Sequence, residues 1–472
     1  MSSPDETLNV PPANLSASSE VRTNLFSGLW TFLRPRFRSL NIGHLLLVLL
    51  GLHLFAMSFP NTSGQYVFDE CYYVGSSGSC AGNHFDQDLL NLVPSNLEHP
   101  FFGKIWGALG IYLFGDNFFG WRIFYVLIGV LTVWVFYELA LVFFSKEKAL
   151  FAASLLGFET LFFIHTSLAL LEGPPLLFGL LGFLLYFRKR YYLSALSFGL
   201  SILSKEWGLY FVAALILYVF YSELVRKPSN TVSTPTLNSR TQKSRWDYSG
   251  LVKTLLFILI LVLVVSLPLW AYDAVYHPQG FTNPIQNFDY YYNYHTSLKI
   301  SPTDTDPWHR AWNWINPFAI SPDDYYVTSV TVSYYTTLSN GTKVLTGSVT
   351  YHPIDWVGMG NLVIWYSIWA IAPFLILKPL ITRKFTRLEA FVATWIIGTY
   401  GPSLYLSAIV NRVVYAFYFI NVDPALALGI PMLISFISPE GSSMQRLLMG
   451  LWLGAAIVFF ILFFPIHPGP GL

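Results

Sequence analysis

Long apolar runs are the feature of this sequence that most limits its fold. A helix needs about 20 mostly apolar residues to cross a lipid bilayer. Charged residues make up only 11% of the 472 positions, whereas soluble proteins carry about 25%. Eleven candidate runs lie at 40–59, 118–144, 149–166, 170–187, 193–204, 206–222, 253–273, 359–377, 388–410, 412–436 and 446–465. The sequence therefore predicts an all-α polytopic membrane protein with about 11 transmembrane helices.

The basic residues of the connecting loops fall on one side of such a bundle. Cytoplasmic loops carry an excess of Lys and Arg, and this excess sets the orientation of a membrane protein. The basic clusters are Arg34 to Arg38, Lys146 with Lys148, Arg188 to Arg190, 226–253 and 378–387. We interpret their side as cytoplasmic and the opposite, acidic side as external. The whole chain has 27 basic and 26 acidic residues, so its charge gives no sign of a nucleic-acid partner.

This orientation divides the chain into four parts. They are a cytoplasmic N-terminal tail (1–39), an N-terminal membrane module (40–273) with the first external loop (60–117), a second external loop (274–358) and C-terminal membrane helices (359–472). A Ser/Thr/Pro-rich basic stretch within 222–252 is typical of a flexible cytoplasmic linker.

Local patterns predict three further features of the external loops. The run 103–115 is too short to span comfortably, and we place it on the external face as an interfacial helix. The alternative, in which it spans, would put Arg188 to Arg190 outside, against the positive-inside bias. Alternating β-branched and aromatic residues around Asn340-Gly341 predict a small β-hairpin. Cys71 and Cys80, the two cysteines, either form a disulfide or remain two buried free thiols.

Charged residues that interrupt the apolar sequence converge on the external side. Charges near a membrane core are costly and are kept mostly where they line a cavity or bind a charged ligand. Arg122, Lys205 and Arg412 come from separate helix ends and could together hold a phosphate. The carboxylates of Asp69 and Glu70 could supply a general base. A single cation at a helix end is usually an interfacial anchor, so only the convergence of all these groups favours a site for transfer from a lipid phosphate.

Other polar residues fall close to this set. Glu98 and His99 stand in the first external loop, and His165 and Glu172 flank the turn between the third and fourth runs. Histidines at such positions are more often hydrogen-bonded structural residues than ligands.

Seven segments occur in an order that resembles the protein O-mannosyltransferase family, glycosyltransferase family 39, whose members have the GT-C fold. They are FDECYY, LEHPFFGK, WRIFYVLIGVL, SLALLEGPPLLF, LSKEWGLYF, DPWHRAWNW and RVVYAFYFINVDPALALGIP. The external loop 274–358 is too short for the β-trefoil module of eukaryotic members, which suggests an archaeal or bacterial relative. The family often has His-Pro-Pro and Asp-Pro where this chain has His99-Pro100-Phe101 and Glu172-Gly173. These differences weaken the roles carried over to His99 and Glu172.

The resemblance implies an enzyme that moves a sugar, commonly mannose, from a dolichyl or polyprenyl phosphate to Ser or Thr hydroxyls of exported proteins, with inversion. By position, Asp69 would be the catalytic base and Glu70 its neighbour in positioning the base or the acceptor. The donor phosphate would lie against Arg122, Lys205 and Arg412. The remaining residues carried over would support the pocket and the acceptor; these are Glu98, His99, Glu172 and Tyr72.

Several alternatives stay open at this stage. The chain is also similar to the GT-C aminoarabinose transferases, which use the same donor chemistry on a glycolipid or another glycan. Some of those relatives bind a divalent ion, which Glu98 and His165 could hold here. A transporter of polyprenyl-linked sugar would bind with the same charges without reacting. The expected partners are the lipid-linked sugar, an exported protein acceptor, the bilayer and a second subunit in a homodimer or heterodimer. The expected location is the cell membrane with the site facing outside, or the ER membrane in a eukaryote.

Overall fold

Helices dominate the part of the chain that the structure describes. The computed structural model describes residues 41–61, 65–74, 98–225, 248–276, 283–339 and 341–467. The α-helices within these ranges are α1 (Ile42–Ala56), α2 (Glu70–Tyr73), α3 (Ile105–Phe114), α4 (Phe118–Ala140), α5 (Lys146–Gly157), α6 (Thr160–Ser167), α7 (Gly173–Phe187), α8 (Tyr191–Ser204), α9 (Gly208–Val225), α10 (Tyr248–Tyr276), α11 (Pro284–Ser297), α12 (Leu362–Trp365), α13 (Ile368–Thr382), α14 (Arg387–Ala408), α15 (Asp423–Ile437) and α16 (Ser443–Leu462). Short 3₁₀ helices lie at Phe101–Gly103, Pro307–His309, Ala311–Asn313 and Ala416–Asn421.

The chain separates into two units, Met1–Leu45 and Leu46–Leu472. The first unit is described only at 41–45, so the architecture below is that of the second. The predicted cytoplasmic tail, most of the predicted linker, Cys80 and Asn340 lie outside the described residues. Cys71 is disulfide-bonded, which removes the alternative of a free thiol at this position.

A helix is present in each of the eleven apolar runs, but the count of eleven spans is not confirmed. Among the described residues, four helices have the length and hydropathy to cross a bilayer: Phe118–Ala140, Val252–Val275, Leu362–Thr382 and Ser443–Leu462. A fifth span results if α5 and α6, bent by 64° at a short break, are counted together. Six other apolar helices are shorter than 18 residues. In Val252–Val275 only 11% of the most apolar window is buried within the protein, so its hydrophobic surface needs lipid around it. The protein is an integral membrane protein.

Several helices begin at a polar capping residue, and some helix pairs pack closely at glycines. At the start of α4, the Asn117 side chain accepts hydrogen bonds from the backbone N–H groups of Phe119 and Gly120, which would otherwise lack a partner. Packing of α3 on α4 depends on Gly110, because a Cβ added there would lie 2.0 Å from the carbonyl oxygen of Gly120. Helix α7 packs on both α4 and α8, α8 packs on α10, and α9 packs on α14. These contacts place the ends of α4, α7 and α8 beside one another.

Two small antiparallel sheets are formed by the second predicted external loop. The strands β2 (Val330–Thr337) and β3 (Lys343–Tyr351) pair as a hairpin around the predicted turn, which confirms the β-hairpin. The sequence analysis did not predict the second pair, β1 (Asp323–Val327) with β4 (Asp355–Gly358). This pair packs against α6 through β4. It therefore brings β1 to the helix that carries His165.

Candidate active site

Asp69 and Glu70 are adjacent in sequence but occupy different environments. They lie at the start of the short helix α2, after Phe68, whose backbone has the unusual positive φ of 52°. The Glu70 side chain is completely buried, whereas Asp69 keeps part of its surface open to solvent. Of the two predicted catalytic carboxylates, only Asp69 is therefore accessible to a substrate.

Glu70 is held by a buried ion pair with Arg122 of α4. Glu70 Oε1 accepts from Arg122 Nε at 2.7 Å, and Glu70 Oε2 accepts from Nη2 at 2.6 Å. The same carboxylate accepts backbone N–H groups of Val67 and Ala169, at 3.0 and 2.9 Å. Such a paired and fully hydrogen-bonded carboxylate fixes the loop that precedes Asp69. Glu70 is suited to positioning the base and not to acting as one.

The placement of Arg122 disagrees with its predicted contact to the donor phosphate. Its side chain is completely buried, and besides Glu70 it donates to the carbonyl oxygens of Met57 and Pro60, at 2.6 and 3.1 Å. A guanidinium has five N–H donors, and four hydrogen bonds to the protein leave it little capacity for a ligand. Its physical role here is to neutralise Glu70.

The carboxyl of Asp69 has the acidity expected of a general base. Burial, with a smaller contribution from the nearby charge of Glu172, raises the pKa of Asp69 to about 7, although the charge of Lys205 opposes this shift. A base works best when its pKa lies near the operating pH. Asp69 meets this condition and, by its electrostatic contact, shares a pocket with Glu172 and Lys205.

Glu172 joins two of the predicted residues in one hydrogen-bonded group. It precedes α7, and its Oε1 accepts from Lys205 Nζ at 2.6 Å while its Oε2 lies 2.8 Å from His165 Nδ1. Lys205 lies between α8 and α9, with Nζ 4.0 Å from the centre of the Trp207 ring. An ammonium has three donors, so Lys205 keeps hydrogen-bonding capacity beyond the bond to Glu172.

A second chain of contacts connects His99 to Arg412. Glu206 Oε2 lies 2.8 Å from His99 Nδ1, and its Oε1 lies 3.2 Å from His295 Nε2. Arg412 Nη2 donates to His295 Nδ1 at 2.8 Å and to the hydroxyl of Tyr418 at 3.1 Å. Burial lowers the pKa of His99 to about 4, although the charge of Glu206 opposes this shift. His99 is therefore a neutral hydrogen-bonding partner at neutral pH.

Arg412 differs from Arg122 in the donors it has left. Within the described part of the chain, Arg412 Nε is buried and has no hydrogen-bond partner. A buried donor without a partner is costly, and a bound anion would satisfy it. Arg412 therefore keeps a donor for a ligand, and its contact with a donor phosphate stays a prediction.

Aromatic residues in and just before the 3₁₀ segment Ala416–Asn421 contact both hydrogen-bonded groups, that of Glu172 and that of Glu206. Phe417 lies 5.5 Å from Lys205 Nζ, and Tyr418 packs edge-on against Trp207 with ring centres 4.4 Å apart. Tyr415 interacts electrostatically with both Asp69 and Arg412. Asp69, Lys205 and Arg412, three residues far apart in sequence, therefore each interact with one of these aromatic residues.

Other predicted pocket residues have mixed placements. Tyr72 is 47% exposed on the outer face of α2, while the neighbouring Tyr73 is buried, with its ring centre 6.5 Å from that of His99. Tyr73, and not Tyr72, is the pocket residue of this pair. Glu98 has one carboxylate oxygen, Oε2, that is buried and has no hydrogen-bond partner among the described residues. It remains a candidate for contact with a substrate hydroxyl.

His165, one of the two expected metal ligands, has both ring nitrogens beside other polar groups. His165 Nδ1 faces Glu172, and His165 Nε2 lies 2.9 Å from the hydroxyl of Tyr325. Two groups of described residues have ligand atoms within 4.8 Å of one another. One is Asp306, His309 and Asp323, and the other, beside Arg412, is His99, Glu206 and His295. A histidine bound to a metal through one nitrogen donates from the other, yet His295 Nδ1 accepts from Arg412. As arranged, this cluster does not fit a divalent ion.

Sequence reasoning missed three polar members of the site. Glu206 stands beside the chosen Lys205, so its position was visible and only its role was overlooked. His295 and Tyr325 lie in the predicted second external loop without any local motif, and only the folded chain brings them to the site. Trp308 and Trp314, which belong to the segment DPWHRAWNW, are buried in the core.

Comparison with known proteins gives this site a family context. Residues 98–239 match the family model described as dolichyl-phosphate-mannose-protein mannosyltransferase. A Mycobacterium tuberculosis protein, named polyprenol-phosphate-mannose–protein mannosyltransferase, is 32% identical over 124 residues. That alignment covers 26% of this chain and only 20% of the relative, about a fifth of its length.

Two solved structures have the same fold over most of the chain. The Saccharomyces cerevisiae protein O-mannosyltransferase Pmt1-Pmt2 complex bound to the sugar donor matches with a TM-score of 0.54 at 13% identity, over 90% of this chain and 89% of that one. The chain has the GT-C fold. ArnT from Cupriavidus metallidurans bound to undecaprenyl phosphate matches this GT-C protein with a TM-score of 0.53 at 16% identity, over 87% of this chain and 63% of ArnT. The predicted family resemblance is confirmed, with the family-model match lying over residues 98–239.

Proposed function

We propose that this GT-C protein is a glycosyltransferase that moves mannose from a polyprenyl or dolichyl phosphate to Ser or Thr hydroxyls of exported proteins. The observation that supports the proposal is that Asp69, an accessible carboxylate, interacts electrostatically with Lys205, and that Tyr415 interacts with both Asp69 and Arg412. Lys205 and Arg412 each have a donor left for an anion. The descriptions of the family model and of the mycobacterial relative both name mannose, which supports mannose as the sugar. Both also name a dolichyl or polyprenol phosphate, which supports a lipid phosphate as the donor.

The reaction needs few groups, and the site supplies them. Asp69, ionised, accepts the proton of the Ser or Thr hydroxyl as its oxygen attacks the anomeric carbon. The bond between that carbon and the phosphate oxygen breaks, and the polyprenyl phosphate leaves with both electrons. Arg412 and Lys205 stabilise the charge that develops on the leaving phosphate. One displacement inverts the configuration, which agrees with a single accessible carboxylate in place of a nucleophile and acid pair.

The remaining residues act by holding these three. Glu70 and Arg122 fix the loop of Asp69, and Glu172 orients Lys205. His295 orients Arg412 through the contact at 2.8 Å. The steps above use only side chains of the protein. The cleft opens to the external side of the membrane in this proposal, where exported acceptors pass, and a second subunit is compatible with it.

A direct assay tests this proposal. The purified full chain is given polyprenyl-phosphate [³H]mannose and a Ser/Thr-rich peptide, and labelled peptide is measured. We expect transfer by the wild type, a loss of at least about 10²-fold in Asp69→Asn, and wild-type activity in the control Asp289→Asn, whose carboxylate is exposed on α11. Full activity of Asp69→Asn would disprove its role as the base.

The second candidate function is transfer of a sugar to a glycolipid, and the similarity of fold to ArnT supports it. The same assay distinguishes the two when a lipid acceptor replaces the peptide. Label in lipid and none in peptide would favour this candidate.

A further inference from the structure

Tyr325 connects the second external loop to the residue that precedes Asp69. Its ring stacks on Phe68, with centres 4.0 Å apart and planes 17° apart. Phe68 holds a positive φ of 52°, a conformation that is uncommon for a bulky residue and persists only when its surroundings enforce it. The stacked ring of Tyr325 is one such constraint, and Phe417, edge-on to Phe68 at 5.6 Å, is another.

The sheet formed by β1 and β4 orients the ring of Tyr325. The pairing of β1 with β4 skips Tyr325, since Asp324 lies opposite Val357 and Tyr326 lies opposite Trp356. Such a bulge redirects one side chain and is common beside active sites. On β4, Gly358 leaves the space that the ring occupies, because a Cβ added there would lie 2.6 Å from Tyr325 Cζ.

The hydroxyl of Tyr325 makes a second connection. It lies 2.9 Å from His165 Nε2, while the other nitrogen, Nδ1, faces the carboxylate of Glu172 at 2.8 Å. An N–H at Nδ1 donates to the Glu172 carboxylate, and Nε2 forms the second hydrogen bond of the ring with the Tyr325 hydroxyl. The hydroxyl thus holds His165, which in turn holds the partner of Lys205.

We propose that Tyr325 is a positioning residue for the transfer reaction, whose ring holds Phe68 and thereby the Asp69 carboxylate, and whose hydroxyl holds His165. The inference rests on the proposed function and assigns a role to the external sheet: it closes the site from the second half of the chain. Tyr325 touches no reacting atom in this account.

Loss of the ring has a consequence that loss of stability alone would not produce. Burial is the main reason why the pKa of Asp69 is raised to about 7, with Glu172 adding to the shift and Lys205 opposing it. Tyr325 and Tyr415 also interact electrostatically with this carboxylate. Removing the aromatic ring admits water beside Asp69, so its pKa should fall and the acidic limb of the rate profile should move to lower pH.

The test compares four variants of the full chain. Tyr325→Leu removes both connections, Tyr325→Phe removes only the hydroxyl, and Gly358→Ala pushes on the ring without changing it. Tyr326→Leu is the matched control, since this neighbouring tyrosine on β1 lies in register with Trp356 and the stack on Phe68 is made by Tyr325. In the transfer assay we expect kcat to fall by about 10²-fold in Tyr325→Leu, with donor KM within about twofold of wild type.

The other three variants should lose different amounts of transfer activity. Tyr325→Phe should lose less than Tyr325→Leu and keep the wild-type pH profile, because it retains the stack. Gly358→Ala should follow Tyr325→Leu, and Tyr326→Leu should match the wild type. Equal kcat and an unchanged acidic limb in Tyr325→Leu and Tyr326→Leu would overturn the proposal.

A readout without chemistry separates this inference from the proposed function. Hydrogen–deuterium exchange of residues 65–74 should be faster in Tyr325→Leu than in Tyr326→Leu, since the loop has lost its aromatic contact. Equal exchange in the two variants would overturn the positioning role. If the wild type transferred no sugar, the proposed function would fail while the exchange experiment still decided the role of Tyr325.

Discussion

Replacement of Arg122 by methionine tests the division of roles between the two arginines. The Arg122–Glu70 pair is 0% exposed on both sides, and its two charged contacts measure 2.6 and 2.7 Å. Removing one partner of a buried pair leaves an uncompensated charge and costs about 3–5 kcal/mol. The carbonyls of Met57 and Pro60 lose their donor as well, so we expect the upper part of that range for Arg122→Met.

The double variant supplies the control for this prediction. Glu70→Gln with Arg122→Met removes both charges and should recover part of the lost stability, which would give a favourable coupling energy in the double-mutant cycle. Thermal unfolding of the detergent-purified protein measures stability, and equilibrium binding of polyprenyl-phosphate mannose measures donor affinity. We expect Arg122→Met to lose stability and Arg412→Ala to lose donor affinity. An Arg122→Met protein with wild-type stability and weakened donor binding would refute this reasoning and restore the phosphate role of Arg122.

Three further predictions follow from individual contacts. Because Asp69 must be ionised to act as a base, kcat/KM for transfer should fall about tenfold per pH unit below an apparent pKa of about 7 and level off above it. A profile of kcat/KM that is flat from pH 5 to 8 would contradict this assignment. In α14, Gly398→Ala should destabilise the protein because the new Cβ would lie 2.6 Å from the backbone of Ala214. The control Gly401→Ala meets no atom within 4 Å and should be neutral or stabilising by about 1 kcal/mol. Equal melting temperatures of the two variants would show that the close packing of α9 and α14 is not needed. The Asn361 amide donates to the carbonyls of Phe158 and Ala456 at 3.0 and 2.9 Å, so Asn361→Leu should cost about 1–3 kcal/mol for each buried carbonyl left unpaired, measured by thermal unfolding, while donor affinity stays at the wild-type value.

The membrane class and the broad location of the site could be predicted from sequence because both depend on local signals. Apolar runs report helices directly, and the motifs around Asp69 and Lys205 are continuous in the chain. The hairpin also followed from a local signal, since alternation of side chains around an Asn-Gly pair specifies its own turn.

The roles of individual charges could not be predicted in the same way. Arg122 and Arg412 look alike in sequence, each a cation at the end of an apolar run. Whether a guanidinium is free depends on which acceptors the fold brings to it, and Arg122 meets Glu70 only because α2 packs beside the start of α4. The ion pair with a residue 52 positions away leaves no local pattern.

The number of membrane-spanning helices could not be predicted from the sequence for a related reason. The break between α5 and α6, with its 64° bend, lies inside a run that reads as one continuous apolar segment. Likewise His295 and Tyr325 reach the site through α11 and a β-bulge, so their contribution depends on tertiary structure alone.

A structure with a polyprenyl-phosphate mannose bound tests the central claim most directly. The account predicts phosphate oxygens within about 3 Å of Arg412 Nε and Lys205 Nζ, with the anomeric carbon turned towards the Asp69 carboxylate. A phosphate bound against Arg122, or a sugar whose anomeric carbon faces away from Asp69, would contradict it.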